Sequence, residues 1–231
     1  MGKIIGDDNP HKGHRERLKN RYMANGLDSF EPHEVLELLL FYSVRYSDTN
    51  VLSHRIIKEF GSFSALLEAP PREIAKRCKI SEHTAILISL CLPMYRKYLN
   101  GKWHGRIVLD SSRKVGEYAQ SLFIGEVYEC LYVICVDNNR RLISPELISR
   151  GTVDSTSWNE REILETVLTR RASGVILAHN HPSGIPAVSP EDIETTAAVR
   201  NLLKPLDVEV IDHIIAAGDT YISFTEKRLL N

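Results

Sequence analysis

Long apolar runs are missing from this sequence. No stretch of its 231 residues approaches the roughly 18 apolar residues that a membrane-crossing helix needs, which excludes an integral helical membrane protein. Met1 to Lys12 lacks the apolar core of a secretory signal, so the expected location is cytoplasmic. Cysteine is scarce as well. Cys78, Cys91, Cys130 and Cys135 show no Cys-x-x-Cys spacing, and four in a chain of this size do not make a disulfide framework, so all are expected to be reduced and mostly buried. Internal repeats and low-complexity tracts are absent too. What is present is ordinary for a soluble globular protein: 43% hydrophobic and 26% charged residues, enough for one large or two modest domains with real cores. The net charge of −1 hides an asymmetry, because residues 1–103 carry net +4 and the remainder net −5.

The informative stretch is His179-Asn180-His181-Pro182-Ser183-Gly184, followed by Ser189-Pro190-Glu191-Asp192. Gly174 to Ala178 is short, apolar and partly β-branched, and reads as a buried strand that delivers the histidines to its end. In extended chain, residues two apart project to one side, so both imidazoles can converge on one ion. Pro182 stops the strand and Gly184 permits a turn. Ser189 and Pro190 read as N-cap and first helical residue, which places Asp192 in the first helical turn. Two imidazoles, a carboxylate and an open position suit a catalytic Zn²⁺. A blander reading stands beside this one: Ser189 and Asp192 are also spaced as a capping pair, with an acidic residue favoured at a helix N-terminus regardless of metal. Capping gives no reason for two histidines on one side of the preceding strand end.

His-x-His, ten intervening residues and Asp, with Pro182 after the second histidine and Ser-x-x-Asp closing the motif, resembles the JAMM (MPN+) zinc metallopeptidase signature. The surrounding Arg150-Gly151-Thr152, the run Ala178 to Gly184 and Asp212-His213-Ile214-Ile215 are similar to the bacterial RadC branch of that family. The resemblance implies one Zn²⁺ held by His179, His181 and Asp192, a zinc-bound water as nucleophile, Ser189 as oxyanion partner and an upstream glutamate as general base. Zinc lowers the pKa of bound water to roughly 7, which lets a carboxylate accept its proton at neutral pH. Glu129, opening the apolar run to Val136, matches the family's glutamate by position; Glu126 and Glu162 are competitors. Before Arg161-Glu162 the family usually carries His-Pro, whereas this chain has Asn159-Glu160. His213, between Asp212 and an apolar strand-like run, could line the cleft or orient a ligand through a hydrogen bond; it reads more readily as structural and is left outside the site. The tripeptide His-Asn-His matches nuclease motifs only in name, since those are dispersed over a ββα unit.

Residues 1–102 read as short helices: Leu18 to Met23, Pro32 to Tyr42, Asp48 to Phe60, Phe63 to Leu67, Pro71 to Cys78 and Ser81 to Tyr98. They resemble the helix-hairpin-helix region of RadC proteins, which implies DNA contact through a glycine-containing turn. Here the matching positions are Lys79-Ile80-Ser81, and without the two glycines the backbone loses the freedom for close phosphate approach. His11, Lys12, His14, Arg15, Arg17, Lys19, Arg21 and Tyr22 form a basic cluster that reads either as a phosphate-binding surface or as a solvated helix face. Asn100-Gly101-Lys102 reads as a linker. Residues 103–231 alternate helices (Ser111 to Phe123, Asn159 to Arg171, Pro190 to Leu203) with strands (Glu129 to Val136, Arg141 to Ser149, Glu209 to Ala216, Tyr221 to Phe224). The expected fold class is thus α+β: a helical domain followed by a mixed-sheet MPN domain. The expected function is a JAMM-type zinc metallopeptidase or amide hydrolase acting on a peptide or protein, with a DNA-associated accessory protein bearing a non-catalytic metal site as the alternative. No membrane partner is expected, and oligomeric state is left open.

Overall fold

The computed structural model describes residues 13–45, 47–103, 107–151 and 158–230; His11, Lys12 and Thr152 fall outside them. The chain divides into two compact units, Met1–Cys91 and Leu92–Asn231. No helix among the described residues is long and apolar enough to cross a membrane.

The first unit is built from α1 (His14–Asn25), α2 (Pro32–Leu40), α3 (Thr49–Phe60), α4 (Phe63–Glu68), α5 (Pro71–Cys78) and α6 (Glu82–Ser89). Their starts follow local rules: prolines open α2 and α5, Asp48 accepts from the N–H groups of Asn50 and Val51, and Ser62 and Ser81 cap α4 and α6. Leu36, Leu40, Ile56, Leu66, Ile74, Ala85 and Ile88 close a fully buried core. Between α5 and α6, Lys79 takes the left-handed conformation with φ 52°, so the hairpin turn survives without glycine. In the basic cluster Arg15 donates to Val44 O and lies over Phe41, while Arg21 pairs with Glu34 and lies over Phe30.

The expected helix over 81–98 is two helices, because Pro93 lacks the N–H that an uninterrupted helix would use. A new helix, α7 (Cys91–Trp103), holds Pro93 in its first turn, where that loss is tolerated. The expected linker at Asn100-Gly101-Lys102 lies inside α7 and is helical. One glycine costs a helix about 1 kcal/mol, too little to end it.

The second unit is α+β. After α8 (Ser112–Leu122) come β1 (Glu129–Val136), β2 (Leu142–Gly151), α9 (Glu160–Arg170), β3 (Gly174–Asn180), α10 (Pro190–Leu203), a 3₁₀ turn, β4 (Glu209–Ala217) and β5 (Thr220–Ser223). They form one mixed five-stranded sheet in the order β2-β1-β3-β4-β5. Only β3 and β4 pair in parallel, which is why a helical crossover, α10, joins them. The period-2 alternation sorts the strands into two apolar layers. Cys130, Ile134, Val136, Ile176, Ala178 and Ile214 pack against α8; Leu131, Val133, Cys135, Val175 and Leu177 pack against α9 and α10. Gly116 of α8 meets the Tyr221 ring so closely that an added Cβ would lie 2.2 Å from it. The four cysteines are free, three of them buried.

Candidate metal centre

The site grows out of the α9/α10 face of the sheet. His179 and His181 occupy the same parity as Leu177 and Val175, so the apolar layer ends in two imidazoles. Strand β3 runs through His179 and Asn180, two residues beyond the expected Ala178, and the His181 N–H then bonds Ala216 O at 2.7 Å. Gly184, at φ 73°, donates to His181 O and turns the chain back. Ile185 O then lies 3.2 Å from His181 Nδ1. A carbonyl only accepts, so this ring nitrogen carries a hydrogen, and Nε2 is the nitrogen that faces the cluster as the candidate ligand atom.

At the start of α10 the two readings of Asp192 both hold. Its Oδ2 accepts from Ser189 N at 2.8 Å, and its own N–H bonds Ser189 Oγ at 3.1 Å, a complete capping box. The other oxygen, Oδ1, lies 3.3 Å from His179 Nε2, which is itself 3.0 Å from His181 Nε2. One ligand-capable atom from each residue thus falls within 4.8 Å of the others. Ligands of a tetrahedral ion bound at 2.0–2.1 Å stand about 3.3 Å apart, so the two observed spacings and the N, N, O donor set fit zinc. Burial pushes the His179 pKa down to about 4, against the pull of Asp192, and so keeps the ring neutral as a ligand must be.

The three glutamates have different fates. Glu129 opens β1 two residues before Leu131, the cross-strand partner of His179, and so shares the histidines' face. Burial raises its carboxyl pKa; His181 lowers it and Asp192 raises it further, which places Glu129 in the field of both. Glu126 is committed elsewhere: Oε1 pairs with Arg96, and Oε2 lies 3.0 Å from Arg150. Glu162 sits in the first turn of α9, with its N–H capped by Asn159 Oδ1 at 3.3 Å. Asn159 therefore serves as a helix cap.

Three contributors, Asn180, Thr196 and Trp158, escaped the sequence reading, and a fourth, His213, was set aside by it. Asn180, the middle letter of the tripeptide, accepts from Cys130 N at 2.7 Å and donates to Tyr128 O at 3.0 Å, bracketing Glu129. His213 takes the ligand-orienting position that its sequence context also allowed: it is fully buried and its Nε2 lies 2.8 Å from His179 Nδ1. Thr196 of α10 approaches His213 Nδ1 at 2.7 Å. The Trp158 ring stands edge-on to His179 and His213, with centroids 6.0 and 5.2 Å away. Burial, with His179 and His181 nearby, holds His213 well below the usual histidine range.

Residues 109–229, just over half of the chain, match the family model described as the RadC-like JAB domain. The matched span contains every residue of the cluster and all five strands.

Proposed function

The chain belongs to the RadC-like JAB domain family, and from that membership we propose that it is a zinc-dependent amide hydrolase, a JAMM-type metallopeptidase acting on peptides or proteins. The observation that carries the reading is the convergence of His179 Nε2, His181 Nε2 and Asp192 Oδ1 beside a partly buried Glu129. A zinc ion held by these three groups supplies Lewis acidity, lowering the pKa of water to roughly 7 and polarising an amide carbonyl. Glu129, its pKa raised by burial, takes a proton from the attacking water and passes it to the departing amine, a role worth about 10²–10⁴ in rate. Ser189 Oγ accepts the Asp192 N–H and keeps its own hydrogen for the developing oxyanion; such a donor contributes roughly 10²–10³.

Zinc per chain in protein purified without added metal tests this reading. About one equivalent is expected in the wild type and far less in Asp192→Ala. A wild type without zinc, or a fully loaded Asp192→Ala, removes the hydrolase reading.

One observation favours a second reading, a DNA-associated accessory protein with a non-catalytic metal site. Lys79 adopts a left-handed conformation in the α5–α6 turn, and it brings a cation to that turn. The inward use of Arg15 and Arg21 weighs against a broad phosphate-binding face. Nucleic-acid binding by a zinc-loaded but peptidase-silent protein would select this reading.

A further inference from the structure

Hydrogen bonds behind the candidate ligands run in a direction that can be deduced from their far end. Thr196 Oγ lies 2.5 Å from Asp192 O and 2.7 Å from His213 Nδ1. The carbonyl can only accept, so the single hydroxyl hydrogen of Thr196 is spent on it. Thr196 must therefore accept from His213, which puts the hydrogen of this ring on Nδ1 and leaves Nε2 bare. Nε2 faces His179 Nδ1 at 2.8 Å, and a bare nitrogen can only accept, so the hydrogen of His179 sits on Nδ1. The remaining ring atom of His179, Nε2, is left with an exposed lone pair, aimed at His181 Nε2 and Asp192 Oδ1.

We propose that His213 and Thr196 are positioning residues. Together they form a one-directional hydrogen-bond chain from His179 to the backbone of Asp192 that fixes His179 in the metal-binding tautomer before any metal arrives. The proposal rests on reading the cluster as a zinc centre. It ties two of the three ligands to each other through β4 and α10, so that the ring orientation of His179 and the start of the helix carrying Asp192 are set by the same chain. A histidine whose second nitrogen is held in this way binds metal more tightly, and loss of such a partner typically costs about 10–100-fold in affinity.

Two measurements on the full chain test this. Long-range ¹H–¹⁵N correlation on metal-free, ¹⁵N-histidine-labelled protein reads which nitrogen of His179 is protonated; Nδ1–H with bare Nε2 is expected, and the reverse tautomer overturns the proposal. Zinc affinity, measured by competition with a chromogenic chelator, compares wild type with His213→Leu, His213→Gln and Thr196→Val. About 10–100-fold weaker binding is expected in His213→Leu, recovery to within about threefold in His213→Gln, and an intermediate loss in Thr196→Val. Glutamine both accepts and donates, whereas leucine preserves only apolar volume, so this order separates positioning from packing. Wild-type affinity in His213→Leu overturns the proposal. Should that variant not fold, His213→Gln, Thr196→Val and the tautomer measurement still decide. A wild type that binds no zinc refutes the hydrolase reading, and the tautomer measurement alone then upholds or overturns the chain.

Discussion

Two polar centres in this protein each bury a carboxylate beside histidine, and they are wired in opposite senses. In the helical unit, Glu37 is 1% exposed and surrounded by donors: His14 Nε2 lies 3.0 Å from Oε1, Thr49 Oγ donates to Oε1, and Asn50 Nδ2 donates to Oε2 at 2.9 Å. Both oxygens of that carboxylate are thus engaged by hydrogen-bonding partners. Around His179 the donors point outward, His181 Nδ1 to a loop carbonyl and His179 Nδ1 to His213, and the inner space is faced by acceptors. Acceptors at 3.0–3.3 Å with no hydrogen between them repel, and a cation relieves that repulsion. A buried carboxylate and histidine thus mean structure or chemistry according to which way the hydrogens point.

The comparison is tested most severely by Glu129→Gln. This variant is expected to keep its zinc and lose about 10²–10⁴ in turnover of any amide substrate the wild type cleaves. Retained turnover would move the base to Glu162, since both oxygens of Glu126 are held by arginines. Next comes Glu37→Leu, which strands three donors in the helical unit. It should cost roughly 2–4 kcal/mol in denaturant unfolding while leaving zinc stoichiometry unchanged. The smallest effect is expected for Asp192→Asn in chelator-treated protein. An amide keeps one oxygen for capping and offers hydrogens to the facing acceptors, so stability should stay within about 1 kcal/mol of wild type. A loss as large as that of Glu37→Leu would show that the two centres are wired alike.

What could be read from sequence was what depends on near neighbours. The alternation of β3 put His179 and His181 on one side, and Ser189 with Pro190 marked the start of α10. The α+β class followed from helical and strand periods that the structure keeps. Expectations failed where distant chain segments decide. His213 reaches His179 only because β3 and β4 pair in parallel with a register shift after Val175, a fact no local pattern carries. Asn180 looks incidental until β1 lies antiparallel beside it. The Asn-Gly pair at 100–101 is a turn signal of about 1 kcal/mol, and α7 overrides it.

The amide of Asn180 grips the chain on both sides of Glu129, from within the strand that carries His179. The backbone that carries Glu129 is therefore tied to the histidine strand at the spacing of adjacent strands. Parting β1 from β3 would break both bonds of the Asn180 amide and so release the backbone at Glu129 together with the strand pairing.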